Sequence, residues 1–200
     1  MKRGKKSRPA LSPFRLLYQL ILRLMGWKTH SIFIDFPKYI LIGVPHTSNW
    51  DFIIGYMVMS AIGLKLSWIG KHTLFRGPAG WILRRMRGIP VNRNLSTNFV
   101  DQVVSSFNEY QYRIVAIAPE GTRKRTERWR SGFYYIARKA NIPIVFGFLD
   151  YRRKLGGVGA YLIPSGELEK DIREIKKFYQ YITPRFPEKF GEIDIPVRKY

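Results

Sequence analysis

At 200 residues the chain can form one domain with a full hydrophobic core, and its 46% apolar and 15% aromatic content excludes a disordered polymer. It contains no cysteine, which removes disulfides, thiolate metal sites and a cysteine nucleophile together. A formal charge of +21 draws the chain toward polyanions (nucleic acid, an anionic bilayer or a phosphorylated substrate) without choosing among them.

The first residues are a basic arm, with Lys2, Arg3, Lys5, Lys6 and Arg8 and no acid. A helix over residues 11–27 follows, in which Ser12, Arg15, Gln19 and Arg23 recur at spacings of three and four and define one narrow polar stripe. No small-residue cleavage site is present and the two arginines break the apolar run, so the segment reads as neither a signal peptide nor a membrane span. Residues 1–28 read instead as an arm and amphipathic helix lying among anionic headgroups, each basic side chain contributing on the order of 1 kcal/mol near that surface. The competing reading is a helix packed on the body behind a solvated tail. A cysteine-free chain fits a reducing compartment, so the expected location is peripheral, on the cytoplasmic face of a membrane.

Residues 29–183 alternate strands with helices. Residues 31–36 and 38–44 are β-rich runs joined at Pro37, and Ser48 or Asn49 can cap a helix running to Leu64. Residues 65–70 read as a strand, 78–87 as a helix, 96–110 as a helix capped by Ser96, and 113–118 as a strand. A helix over 132–140, strands over 142–149 and 158–163, and a charged helix over 168–181 complete the body. Residues 184–200, with three prolines and mixed charges, read as an extended tail. The expected architecture is a single α/β domain with a mixed, mostly parallel sheet flanked by helices, plus the N-terminal helix. The uncharged stretch 52–64 is too short to span a bilayer; it reads as a core helix, or as the lining of an alkyl-chain channel.

Three polar clusters interrupt these elements. In His46-Thr47-Ser48-Asn49-Trp50-Asp51, residues five apart would diverge by about 140° within one helix. His46 and Asp51 can meet only if His46 lies in the turn before the helix and Asp51 in its first turn. Asp51 would then accept a hydrogen bond from one imidazole nitrogen, leaving the other as a base with no nucleophile of the enzyme's own. Pro119-Glu120-Gly121-Thr122-Arg123 ends an apolar run with a turn whose amides and guanidinium can hold a phosphate or oxyanion. Gly88-Ile89-Pro90-Val91-Asn92-Arg93 brings a third cation. Gly70-Lys71-His72-Thr73 is not a phosphate-binding loop, because Lys65 stands where its first glycine belongs and no hydroxyl residue directly follows Lys71. His30 and His72 have no ligand spacing with His46, so no metal is expected.

Together the clusters resemble the H-x4-D, G-x-x-x-x-R and P-E-G-T-R blocks of the glycerolipid and lysophospholipid acyltransferase family, typified by 1-acylglycerol-3-phosphate acyltransferase. Ile142-Pro143-Ile144-Val145 is similar to its fourth block, and the resemblance covers roughly residues 40–149. It implies an O-acyltransferase in which His46, oriented by Asp51, deprotonates the hydroxyl of a lysophospholipid or related glycerolipid. That oxygen would attack the thioester of acyl-CoA or acyl carrier protein, with no bound cofactor. It also implies that Arg93, Glu120, Gly121, Thr122 and Arg123 bind the acceptor's phosphate or polar head. Pro45 and Ala118 depart from the commonest residues before the His and Pro-Glu-Gly blocks, which leaves the acceptor open. A nucleic-acid-binding protein using the basic run 123–130, and a hydrolase in which His46 activates water, remain the alternatives; the first leaves the His46/Asp51 pair unexplained.

Overall fold

The computed structural model describes residues 12–91 and 99–195. Along them run α1 (Pro13–Leu24), β1 (Lys28–Ser31), β2 (Lys38–Val44), α2 (Asn49–Ala61), β3 (Leu66–Lys71), α3 (Gly77–Arg85) and β4 (Gly88–Val91). After the undescribed stretch come α4 (Phe99–Asn108), β5 (Arg113–Ile117), α5 (Gly132–Lys139), β6 (Ile144–Asp150), β7 (Leu155–Leu162) and α6 (Leu168–Tyr179). Short 3-10 turns occupy His72–Phe75 and Pro187–Lys189. The strands form one seven-stranded sheet in the order β1-β7-β6-β2-β5-β3-β4, every neighbouring pair parallel except β6 with β7. This is a single α/β domain with a mostly parallel sheet, as the alternation of elements predicted.

Burial follows the two-residue period of a strand covered on both faces. Ile40, Ile42 and Val44 of β2 enter one core, and Tyr39 and Leu41 enter the other. Strand β6 divides likewise, Ile144, Phe146 and Phe148 against Val145 and Leu149. Helices α4, α5 and α6 cover the first face, while α1 and α2 cover the second. The uncharged stretch 52–64 supplies most of α2 and the turn after it; α2 buries Ile54, Val58, Met59 and Ala61, the burial of a core helix.

Four details differ from the sequence expectation. The first strand falls at Lys28–Ser31 rather than 31–36, because it pairs with β7 where Gly156 and Gly157 remove side chains from its path. A Cβ at Gly157 would collide with the His30 carbonyl. Residues 88–91, not among the expected strands, form β4; it contains Pro90, which the edge of a sheet accepts because one N–H there has no partner to lose. The polar stripe of α1 does not all face outward. Arg15 Nε and Gln19 Nε2 each donate to the Ala61 carbonyl at 2.9 Å, satisfying the C-terminal end of α2. Lastly, residues 184–195 fold back on the body, burying Ile193 and Ile195 in the first core while Trp129 N–H donates to the Asp194 carbonyl at 2.7 Å.

The site's position follows from the connections. Strands β6, β2 and β5 lie side by side and run the same way. The chain leaves β2 for α2 on one face and leaves β5 for α5 on the other. Adjacent strands whose chains depart to opposite faces open a crevice beyond their carboxyl ends.

Candidate active site

Beyond the end of β2 the Val44–Pro45 peptide is cis, and His46 occupies the turn before α2. Ser48 caps the helix, its hydroxyl accepting from Trp50 N–H at 3.1 Å, and Asp51 at the third helical position accepts from Ser48 N–H at 2.7 Å. This reciprocal capping box is what an S-x-x-D segment forms at a helix start. It places Asp51 in the first turn and His46 just ahead of it, as the spacing required.

The pair is close but not hydrogen-bonded: His46 Nδ1 lies 3.9 Å from Asp51 Oδ2. The reason is that the carboxylate already has three donors. Oδ2 accepts from Thr47 N–H at 2.6 Å and from Ser48 N–H, while Oδ1 accepts from the Tyr151 hydroxyl at 2.5 Å. The predicted imidazole–carboxylate hydrogen bond is therefore replaced here by a longer electrostatic contact. Such contacts commonly tighten when substrate binds.

Burial lowers the His46 pKa from its ordinary 6.5; Asp51 opposes that shift and Arg123 reinforces it. The ring is thus a neutral base at neutral pH. Arg123 is exposed, and its charge acts on His46 from the turn after β5. Arg123→Gln is expected to raise the His46 pKa and move the acidic limb of the kcat/KM profile to higher pH. A limb that stays in place or moves to lower pH would show that the guanidinium does not act on His46.

Glu120, which the resemblance assigns to the acceptor's polar head, contacts the backbone of the His46 turn. It is 7% exposed, and its two carboxylate oxygens accept the His46 backbone N–H at 2.9 and 3.2 Å. Burial pushes its carboxyl up to about 8, against the pull of that N–H, with the Asp51 charge adding to the rise. Glu120 joins the end of β5 to the end of β2 from behind the imidazole. Gly121 turns the chain with φ +67°, and its N–H donates to the Ala118 carbonyl at 3.1 Å. Thr122 and Arg123, which follow it, are exposed. Arg93 lies outside the described residues; β4, which leads to it, runs parallel to β3 and ends at Val91.

Two neighbours of the pair were not found from sequence. Tyr151 follows β6, 100 positions from Asp51, and the available signal was a polar residue ending a buried strand. Burial first, then Asp51, push its phenol far above the usual range, so it remains a donor, although Arg185 pulls it partly back. Thr47, 2% exposed, accepts Phe186 N–H at its hydroxyl at 3.3 Å, bringing the C-terminal segment to the site. A cavity of about 320 Å³ lined by Lys65, Arg87, Tyr110 and Arg113 lies at the opposite ends of the strands and contains none of these residues. Among the described residues no three His, Asp or Glu side chains gather as a metal site.

The sequence model of the acyltransferase family matches residues 35–145, more than half of the chain, and the chain belongs to that family. It is an acyltransferase, and the matched segment spans His46, Asp51 and the turn 119–123. The solved structure of the 1-acyl-sn-glycerophosphate (LPA) acyltransferase PlsC from Thermotoga maritima shares the fold. Its TM-score is 0.55 at 15% identity, over 82% of this chain and 74% of that one. A search of curated protein sequences finds no match.

Proposed function

We propose that the protein moves a fatty acyl group from an acyl thioester, acyl-CoA or acyl carrier protein, to the hydroxyl of a lysophospholipid or related glycerolipid. The observation that carries this is a neutral, half-buried His46 held between Asp51 and Glu120 at the carboxyl ends of three parallel strands, in a chain of the acyltransferase family. The structural neighbour PlsC is a 1-acyl-sn-glycerophosphate (LPA) acyltransferase, which supports the same reaction class.

In the proposed step the free imidazole nitrogen takes the proton of the acceptor hydroxyl as its oxygen attacks the thioester carbonyl carbon. The oxyanion is stabilised by donors at the crevice, a contribution that reaches several kcal/mol in such sites. The C–S bond then breaks, and the departing thiolate takes the proton back from His46. No acyl-enzyme is required of a chain without cysteine. Gly121, Thr122 and Arg123, with Arg93, are proposed to contact the acceptor's phosphate, while Glu120 holds the base in place. Incubation with radiolabelled acyl-CoA and a panel of lyso-lipids, with products resolved by chromatography, tests this. Loss of thioester at the same rate without any acceptor would assign a hydrolase instead.

The same reading places the protein peripherally on an anionic membrane, on the cytoplasmic side. Its support is the outer face of α1: Phe14, Leu16, Leu17, Leu20 and Leu24 are 48–79% exposed while Leu22 and the half-buried Tyr18 and Met25 pack on the body. No described helix is long and apolar enough to cross a membrane. Leu20→Asp with Leu24→Asp is expected to lower partition into vesicles containing anionic lipid at least tenfold without lowering the unfolding temperature, since burial of one leucine contributes about 1.5–3 kcal/mol. Unchanged co-sedimentation would overturn the membrane contact.

A further inference from the structure

The catalytic pair has a wall that none of the motif clusters supplies. Tyr151, on Asp51 Oδ1, is tied by its own N–H to the Thr183 carbonyl at 2.9 Å. Three residues further on, Phe186 N–H reaches Thr47 Oγ1 at 3.3 Å, beside His46. Residues 183–186 therefore cross the catalytic turn with an anchor at each end.

Between the anchors stands Arg185. Its guanidinium carbon lies 5.6 Å from the Trp50 ring centre, 5.9 Å from that of Tyr151 and 5.5 Å from that of Phe186. Three rings orient a planar cation without neutralising it. No described carboxylate lies within ion-pair distance of Arg185, although the side chain is exposed and one phenol away from Asp51. A cation fixed in orientation, with an open edge, has the geometry that recognises phosphate through two parallel N–H donors.

We infer that Arg185, held by Trp50, Tyr151 and Phe186, binds a phosphate group of the substrate that reaches His46, making the C-terminal segment part of the active site. This rests on the acyl-transfer reading for which substrate is bound, but the phosphate contact itself is measurable without turnover. The phosphate has two sources, the acceptor headgroup and the phosphopantetheine arm of the donor. Calorimetric titration with glycerol 3-phosphate and with 4′-phosphopantetheine separates them, with glycerol and pantetheine as uncharged controls.

Arg185→Gln is expected to weaken one of the two phosphates five- to tenfold and to leave the other within twofold, with Arg185→Lys intermediate. In the transfer assay the KM for the substrate carrying that phosphate rises by a similar factor, with kcat within about twofold. The inference is overturned if wild type binds neither phosphate. It is also overturned if both bind the variant as they bind wild type, or if both weaken alike. An equal rise in KM for a neutral monoacylglycerol and a phosphate-bearing acceptor, with donor binding unchanged, would likewise overturn it, because that marks a structural role. If no lipid acceptor is acylated, the acyl-transfer reading fails and the titrations still decide Arg185.

Discussion

His46→Ala should reduce acyl transfer by about 10²–10⁴ in kcat while the protein stays folded, since that is the range a positioned general base contributes. The expectation rests on three features of the imidazole. It is neutral because burial outweighs the pull of Asp51. It stands at the mouth of a crevice rather than in a sealed core, with its side chain 23% exposed. Its backbone is held independently, by Glu120 on the His46 N–H and by the capping box that follows. Removing the ring thus removes chemistry more than structure, and the unfolding midpoint should move by only a few degrees. Near wild-type transfer by this variant would show that another group takes the proton.

Asp51→Asn should be comparably damaging in rate, by roughly a hundredfold or more, and also costly in stability. All three partners of the carboxylate are donors: Thr47 N–H, Ser48 N–H and the Tyr151 hydroxyl. An amide offers an acceptor on one side only, so the Tyr151 hydroxyl must reverse or lose its bond. Replacing charge-assisted hydrogen bonds with neutral ones is worth about 1–2 kcal/mol here. That corresponds to roughly 2–8 °C in a domain of this size. The pH signature separates this variant from Arg123→Gln. Asp51 raises the His46 pKa, so its loss moves the acidic limb to lower pH, whereas loss of Arg123 moves it to higher pH. A rate near wild type, or a limb displaced upward, would remove Asp51 from the proposed mechanism.

Much of this arrangement was legible in the chain. Near-continuous apolar runs in 38–44 and 142–149 marked two neighbouring strands at the middle of the sheet, because both faces of the sheet are covered. The candidate caps Ser48 and Asn49 marked the start of α2, since helix capping is a local interaction between residues two or three apart. Strand β4 was less legible, because proline argues against a strand unless its place at an edge is known. The polar stripe of α1 was visible, but not that Arg15 and Gln19 would turn toward the Ala61 carbonyl 42 or more positions away.

The sequence by itself determined the chemistry available: an imidazole and a carboxylate at one helix start, a turn bearing a cation at one strand end, and no thiol. Those features depend on neighbours a few residues apart, where covalent connection already restricts the geometry. Only the tertiary structure decided what each group touches. It placed Glu120 on the His46 N–H, gave Asp51 a third donor from Tyr151, and laid residues 183–186 across the His46 turn. Those partners come from 74, 100 and 139 positions away. Sheet order brings them together, and sheet order is set by which apolar faces bury against one another, a property of the whole chain rather than of any segment.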